Sequence, residues 1–176
     1  RLGYRTHIYE PGAAPAGDVA HRVTTARYDD AEALRAFAES VDVITYEFEN
    51  VPAESLDLLE SIRPIRPNRR ALAVSQDRLT EKEFLAGLGL KTAPFANVET
   101  EADLAGALAQ IGAPAILKTR RMGYDGKGQI RFADLAQRDW TGAPSVLEGL
   151  VEFSGEISVI VARGANGAVA AYDPGL

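Results

Sequence analysis

The stretch from Ala115 to Phe132 most constrains the fold, because it predicts two strands joined by a glycine-rich basic loop. An apolar run ends in Lys118, and residues 129–132 have the composition of a return strand. Between them lie three glycines in six residues (123–128), together with Lys127. Glycines let backbone N–H groups converge on phosphate oxygens, and the lysines supply positive charge. The loop alone leaves two interpretations open: a phosphate-binding hairpin, or an ordinary glycine-rich turn with solvated charges.

Composition narrows the class of protein. The chain has 176 residues, 46% of them hydrophobic and 25% charged, which is typical of a soluble globular protein. A formal net charge of -6 argues against a nucleic-acid partner. No apolar run reaches the roughly 18 residues that span a bilayer, so no membrane partner is expected. Cysteine is absent, which excludes disulfides and thiolate metal sites and fits a cytoplasmic protein.

The first half alternates predicted strands and helices, which favours a parallel sheet covered by helices. Segment 18–25 is consistent with either a short helix or a short strand. In such sheets, ligands lie at the carboxyl ends of strands, where Glu10 and the cluster 47–50 fall. The predicted elements are strands 4–10 and 41–46 and helices 29–38 and 53–62, with 11–17 as a loop.

The second half predicts helices and an antiparallel sheet instead. Residues 63–70, rich in arginine and proline, are interpreted as a linker or a strand edge. We therefore expect two domains, 1–72 and 73–176. The predicted elements are a helix over 77–89 with an apolar stripe (Leu79, Phe84, Leu85 and Leu88), a helix over 101–111 capped by Thr100, a helical turn at 133–138, and strands 145–148, 157–161 and 168–172, the last two joined by a turn at 163–167.

A nucleoside triphosphate site would explain several residues of the second half together. Burying Lys118 at the end of an apolar strand is costly without an anion, although a lysine can also extend its ammonium group to solvent. Segment 148–151 could enclose an adenine, and Glu156 could accept hydrogen bonds from ribose. Taken singly, each of these acidic residues is more typical of a surface position.

The order of these motifs resembles the ATP-grasp superfamily. The motifs are Gln76-Asp77-Arg78 followed by Glu81-Lys82, then Lys118 and the loop 123–129, and then Glu148 followed by Phe153-Ser154-Gly155-Glu156. The segment 45–52, Thr-Tyr-Glu-Phe-Glu-Asn-Val-Pro, and the Tyr-Asp within the loop are similar to the 5-(carboxyamino)imidazole ribonucleotide synthase branch of that superfamily. The resemblance implies an α/β then α+β fold: a parallel Rossmann-like N-terminal domain followed by an ATP-grasp domain, both expected to be incomplete in this chain, the first lacking its first strand.

The resemblance also implies a reaction and its participants. The branch carboxylates 5-aminoimidazole ribonucleotide with bicarbonate through carboxyphosphate, converting ATP to ADP and phosphate. It implies Mg²⁺ or Mn²⁺ with ligands beyond Leu176, so no metal ligand is assigned in this chain, a homodimer, and the mutase that follows in purine biosynthesis as a functional partner. Alternatives are another ATP-grasp carboxylate–amine ligase, a non-catalytic ATP-binding module and a scaffold domain without a ligand.

The site residues implied by the resemblance fall into three groups. The residues carried over to ATP are Arg78, Lys118, Gly123, Tyr124, Asp125, Gly126, Lys127, Gly128, Gln129, Glu148, Gly149, Leu150, Val151 and Glu156. Three of them, Tyr124, Asp125 and Lys127, are also the catalytic candidates that would meet bicarbonate or the imidazole ribonucleotide. Glu47 and Asn50 are assigned to the nucleotide substrate, with helix capping and surface placement as the alternative for this pair.

Overall fold

Two hydrophobic cores organise the chain, one in each half. The computed structural model describes residues 3–123, 127–136 and 139–175. In the first core, side chains from the helices of the first half pack around Ile44 and Ile65. In the second, Leu104 and Leu108 pack against sheet residues that include Leu117 and Phe132. The described part of the chain therefore has two centres of apolar burial, the main stabilising contribution in a protein of this size.

The first half contains parallel strand pairing, as predicted. Strand β1 (His7–Tyr9) pairs in parallel with β2 (Arg22–Thr24). A short 3₁₀ helix at Pro15–Val19 precedes β2, so segment 18–25 holds the end of a helical turn and then a strand. The helices of this half are α1 (Ala31–Glu39), α2 (Ala53–Glu60) and α3 (Arg69–Ser75).

The prediction of a buried strand over 41–46 was wrong. Within it, Ile44 forms a single parallel bridge to Ile65, and Val43 is 56% exposed. A cleft of about 880 Å³, lined on one side by β1 and on the other by residues 44–48, lies beside this segment. Among the described residues, the segment gains only the Ile65 bridge.

The interpretation of 63–70 as a linker or strand edge was only partly right. Ile65 does lie on a strand edge, as the partner of Ile44. However, Asn68 begins helix α3, because its side chain accepts a hydrogen bond from the Ala71 N–H at 3.0 Å. Leu72 is buried and fixes that helix to the first core. The Asn68 N-cap and the burial of Leu72 therefore stabilise a helix here, although the segment is rich in arginine.

A four-stranded antiparallel sheet forms the centre of the second half, as predicted. The elements of this half are α4 (Arg78–Gly87), β3 (Phe95–Val98), α5 (Glu101–Ile111), β4 (Ala115–Thr119), β5 (Gln129–Phe132) and β6 (Ser145–Gly149). The spatial order of the strands is β3, β6, β4, β5. Helix α5 buries Leu104, Ala107 and Leu108 against the sheet.

The structure differs from three further predictions for the second half. The apolar stripe on α4 is not a core face: none of its residues is buried. The strand expected over 157–161 was displaced, because β7 (Val161–Arg163) pairs with β8 (Val169–Ala171), and Ser158 forms only a bridge to Gly175. Residues 133–136 form a bend and a turn, and 137–138 lie outside the described residues. Nowhere in the described ranges is a helix long and apolar enough to cross a membrane.

Candidate functional site

The base of the glycine-rich loop closes around Thr119, the last residue of β4. The Thr119 N–H donates to the Gly128 carbonyl at 2.9 Å. Gly128 has φ +69°, and a Cβ there would lie 2.5 Å from Thr119 Oγ1; one at Gly123 would lie 3.0 Å from the same atom. Glycine is therefore required at 128 both for its backbone conformation and for space. The predicted loop-tip residues 124–126 lie outside the described residues.

Arg78 joins helix α4 to this loop base. Its side chain donates from Nε to the Thr119 carbonyl at 3.3 Å and from Nη2 to the Gly123 carbonyl at 3.2 Å. Its backbone N–H donates to the Arg120 carbonyl at 2.9 Å. The structure thus brings together two of the predicted site residues, Arg78 and Gly123, and places a guanidinium group where the loop leaves the sheet.

Asp77 supports this arrangement and was not predicted as a site residue. It is the N-cap of α4, accepting hydrogen bonds from the N–H groups of Leu79 (3.0 Å) and Thr80 (3.2 Å). The Arg120 guanidinium donates to both of its carboxylate oxygens, at 2.8 to 3.1 Å. Burial disfavours the charged form, but the hydrogen bonds from Arg120 and the helix amides outweigh it and lower the pKa of Asp77. The aspartate before a helix was visible in the sequence; its pairing with Arg120 was not.

Lys118 lies in a compact charged cluster with two other residues. Its Nζ is 3.0 Å from Glu148 Oε2, and Lys82 Nζ is 3.3 Å from the same oxygen. Glu148 is buried in β6, and its other oxygen, Oε1, has no hydrogen-bond partner within the described part of the chain. The structure therefore brings together two predicted residues, Lys118 and Glu148. Sequence reasoning included Lys82 only in the motif that resembles the ATP-grasp superfamily, and assigned it no role in the site.

The connection after β6 offers mixed support for its predicted role. The Gly149 N–H donates to the Pro94 carbonyl at 2.9 Å and the Leu150 N–H to the Pro114 carbonyl at 3.1 Å. These two amides are therefore already engaged by the protein and do not take part in recognising a base here. Val151 is half exposed, and Glu156 is exposed with most of the segment around it.

The remaining predicted residues of the first half lie apart from this cluster. Glu47 is exposed and lines the 880 Å³ cleft, whereas Asn50 is half-buried. Gln76 ties this segment to the residues before Arg78, because its Nε2 donates to the carbonyls of Glu49 and Val51 at 2.6 Å. The link between the segment and α4 therefore runs through Gln76.

A metal site was assigned to no residue of this chain, and the described ranges contain no group of three or more His, Asp or Glu side chains that could hold one. The His7 ring is occupied by hydrogen bonds to Ser40 Oγ (2.7 Å) and Thr24 Oγ1 (2.9 Å). A Mg²⁺ ion that accompanies a nucleotide is held by one or two carboxylates together with phosphates, and the described residues form no larger ligand group than that.

Comparison with known proteins gives matches over both halves. A model for the ribonucleotide synthetase preATP-grasp domain matches residues 1–76, and one for the ATP-grasp domain matches residues 83–175. N5-carboxyaminoimidazole ribonucleotide synthase of Brucella melitensis is 49% identical over 98% of this chain and 50% of its own length. The chain thus spans about half the length of such curated relatives.

Solved structures agree with this result. N5-carboxyaminoimidazole synthetase from Staphylococcus aureus complexed with ADP has a TM-score of 0.90 at 35% identity, over 98% of this chain and 48% of that one. The Aspergillus clavatus synthase in complex with ADP and 5-aminoimidazole ribonucleotide has a TM-score of 0.78 at 25% identity, over 97% of this chain and 46% of that one.

Proposed function

We propose, because this chain belongs to the ATP-grasp family, that the full-length protein carboxylates the exocyclic amine of 5-aminoimidazole ribonucleotide. In this reaction the γ-phosphoryl group of ATP passes to bicarbonate, giving ADP and carboxyphosphate. The amine then receives the carboxyl group, directly or through released carbon dioxide, and phosphate leaves. The product is the N5-carboxyamino ribonucleotide of purine biosynthesis. Relatives named for this activity and a related structure that holds ADP and the ribonucleotide support the proposal.

The observation that carries the proposal is the Lys118–Glu148–Lys82 cluster beside the loop base. Two ammonium groups share one carboxylate, so the cluster has an excess positive charge in a largely buried place. An anionic ligand compensates such an excess. Phosphoryl transfer depends mainly on positioning and on neutralising charge, which lysines next to a glycine-rich loop can supply. We assign Lys118 to the phosphates of ATP.

The residues around the cluster complete the proposed ATP site. Arg78 donates hydrogen bonds to the base of the loop, and in this proposal it contacts the nucleotide there. Residues 123–129 would cover the phosphates, and Glu148 with 149–151 would hold adenine. Glu156 would accept from the ribose hydroxyls.

The loop would also protect the chemistry. Carboxyphosphate and carbon dioxide are lost quickly to water, so closure of the loop over the site keeps them for the amine. Within this proposal, Tyr124, Asp125 and Lys127 contact bicarbonate or the imidazole ribonucleotide. Glu47 and Asn50 contribute to the ribonucleotide site from the first half.

The proposal also covers the domain boundaries, the metal ion, the location and the partners of the whole protein. We assign the domains as 1–72 and 73–176. Mg²⁺ or Mn²⁺ would accompany ATP, held by ligands other than the residues described above. A cytoplasmic location agrees with the absence of cysteine. The protein would act as a homodimer, and the mutase that follows in purine biosynthesis would consume its product.

The test is ADP release by the full-length protein, measured with and without bicarbonate and with and without 5-aminoimidazole ribonucleotide. We expect ADP release to require both substrates. Lys118→Met should lower kcat/KM for ATP by about 100-fold, the scale of a lost charge-assisted contact to a transferring phosphoryl group. The matched control is Lys91→Met, because Lys91 is exposed. Full turnover by Lys118→Met would overturn the assignment, and ATP binding without ribonucleotide-dependent ADP release would favour a non-catalytic module.

A further inference from the structure

Two lysines compete for one carboxylate oxygen in the charged cluster. Glu148 Oε2 accepts a hydrogen bond from Lys118 Nζ at 3.0 Å, and Lys82 Nζ forms an ion pair with the same oxygen at 3.3 Å. The Glu148 side chain is 9% exposed, and that of Lys82 is 12% exposed. Glu148 therefore has one more cation than it needs for charge balance.

The two lysines are held differently. Lys82 lies on α4, and its Nζ is 5.4 Å from the centre of the Phe95 ring, a cation–π distance. Phe95 is directly opposite Glu148 in the β3–β6 register, so the ring and the carboxylate hold Lys82 between them. Lys118 is more exposed, at 21%, and lies near the end of β4, one residue before the loop base closes at Thr119. Of the two, Lys118 has the freer ammonium group.

Because Lys82 is fixed and Lys118 is freer, Lys118 can turn toward a bound nucleotide at lower cost. If Lys118 were the only partner of Glu148, turning it toward a phosphate would leave a buried carboxylate uncompensated. Such a loss costs several kcal/mol in general and would retain Lys118 on Glu148. A second, fixed cation removes that cost.

We propose that Lys82 is the positioning residue that keeps the Glu148 carboxylate paired and ordered, so that Lys118 can leave Glu148 for the phosphates of the bound nucleotide. This inference rests on the proposed ATP site. It gives Oε1 of Glu148, unpartnered within the described residues, a role as a fixed acceptor for a donor on the nucleotide. Lys82 itself touches neither the phosphates nor the reacting atoms in this account.

The first test compares affinities for ATP and for adenosine in the full-length protein, by competition with a fluorescent nucleotide. In Lys82→Met, Glu148 retains Lys118, so the dissociation constant for ATP should rise about tenfold or more, the scale of one charge-assisted hydrogen bond. Adenosine, which has no phosphate, should lose much less. Lys82→Arg keeps the cation and should restore most of the ATP affinity, and Lys91→Met should match the wild type. Equal loss of ATP and adenosine would mean that Lys82 only supports the base pocket, and would overturn the inference.

The second test is a double-mutant cycle. In a Lys118→Met background no ammonium group remains to be released to the phosphates, so adding Lys82→Met should change the ratio of the ATP and adenosine affinities little. An undiminished effect of Lys82→Met on this ratio in that background would overturn the inference, as would wild-type ATP affinity in Lys82→Met alone. Circular dichroism confirms that each variant is folded, and Lys82→Gln replaces Lys82→Met if the latter is not. If wild-type protein binds no ATP, the proposed function itself fails, which is distinguishable from failure of Lys82 alone.

Discussion

Arg120 holds both carboxylate oxygens of Asp77, so the residue that follows β4 is fixed to the N-terminus of α4. The shortest contact, from Arg120 Nη2 to Asp77 Oδ2, is 2.8 Å. The Arg78 N–H returns to the Arg120 carbonyl at 2.9 Å, which closes the connection between helix and strand. Because Arg78 and the loop base both depend on this junction, Asp77 and Arg120 set the geometry of the proposed ATP site without being part of it.

We expect Asp77→Ala to lower the free energy of unfolding by about 2–4 kcal/mol, since it removes an N-cap and leaves Arg120 without its main partner. A double-mutant cycle with Arg120→Ala, measured by urea unfolding, should give a strong favourable coupling. The control cycle is the exposed pair Arg27 and Asp29, whose coupling should be much smaller. Additive effects of Asp77→Ala and Arg120→Ala would contradict this account.

The same pair predicts how stability depends on pH. The pKa of Asp77 lies below its ordinary value of 3.8, because the hydrogen bonds from Arg120 and the α4 amides outweigh the effect of burial. The unfolded chain therefore binds this proton more readily than the folded one. The stabilisation from ionised Asp77 is complete well above pH 3.8 and is lost as the pH falls through the lowered pKa.

In a urea series from pH 7 to pH 3, the stability advantage of the wild type over Asp77→Asn should shrink at the acid end. The comparison is needed because the pKa values of Asp29 and Asp103 are also lowered and act in the same direction. Both remain in the variant, so the difference isolates Asp77. A constant difference across the series would show that the charge of Asp77 contributes nothing.

The elements that were predicted correctly from the sequence depend mainly on residues that are close together in the chain. The hairpin of β4 and β5 and the capped helix α5 depend on residues close in the chain, and both were predicted. Helix α3 was missed because its start rests on one side chain, Asn68, within an arginine-rich segment that suggested a linker. The strand expected over 41–46 failed because a strand needs neighbours, and only Ile65 supplies one among the described residues.

In the candidate site, too, local sequence patterns were recognised and contacts between distant residues were not. Lys118 and the loop glycines were recognisable from their local pattern. The pairing of Lys82 with Glu148 and that of Asp77 with Arg120 were not, because each joins residues far apart in sequence. A lysine on a helix resembles any solvated lysine until the fold places a carboxylate and an aromatic ring beside it. Tertiary charge pairing is therefore the part of the site that only the structure supplied.

The second core predicts a clear difference between two leucines. Leu104 on α5 is 1% exposed, whereas Leu88, which follows α4, is 61% exposed. Leu104→Ala should lower the free energy of unfolding by about 2–5 kcal/mol through lost burial and a cavity. Leu88→Ala, the same chemical change, should stay within about 0.5 kcal/mol of the wild type. Similar losses in urea unfolding would mean that the apolar stripe of α4 is a core face after all.

The last prediction concerns the loop base. At Gly128, φ is +69° and an added Cβ would lie 2.5 Å from Thr119 Oγ1, so Gly128→Ala should cost about 1–3 kcal/mol through backbone strain and overpacking. It should also weaken ATP binding, because the loop base must shift. Gly106→Ala is the control: Gly106 is exposed within α5, and nothing lies within 4 Å of its added Cβ.

Gly106→Ala should therefore stabilise the protein by about 0.5–1 kcal/mol through helix propensity. Combining Gly128→Ala with Thr119→Ala separates the two causes of the Gly128→Ala effect. In the double variant the clash between the added Cβ and the Thr119 side chain disappears, and only the backbone strain at residue 128 remains. Part of the lost stability and ATP affinity should then return, as measured by urea unfolding and nucleotide titration. Complete recovery would show that the positive φ carries no cost, and no recovery would show that contact with Thr119 is not what makes glycine necessary at this position.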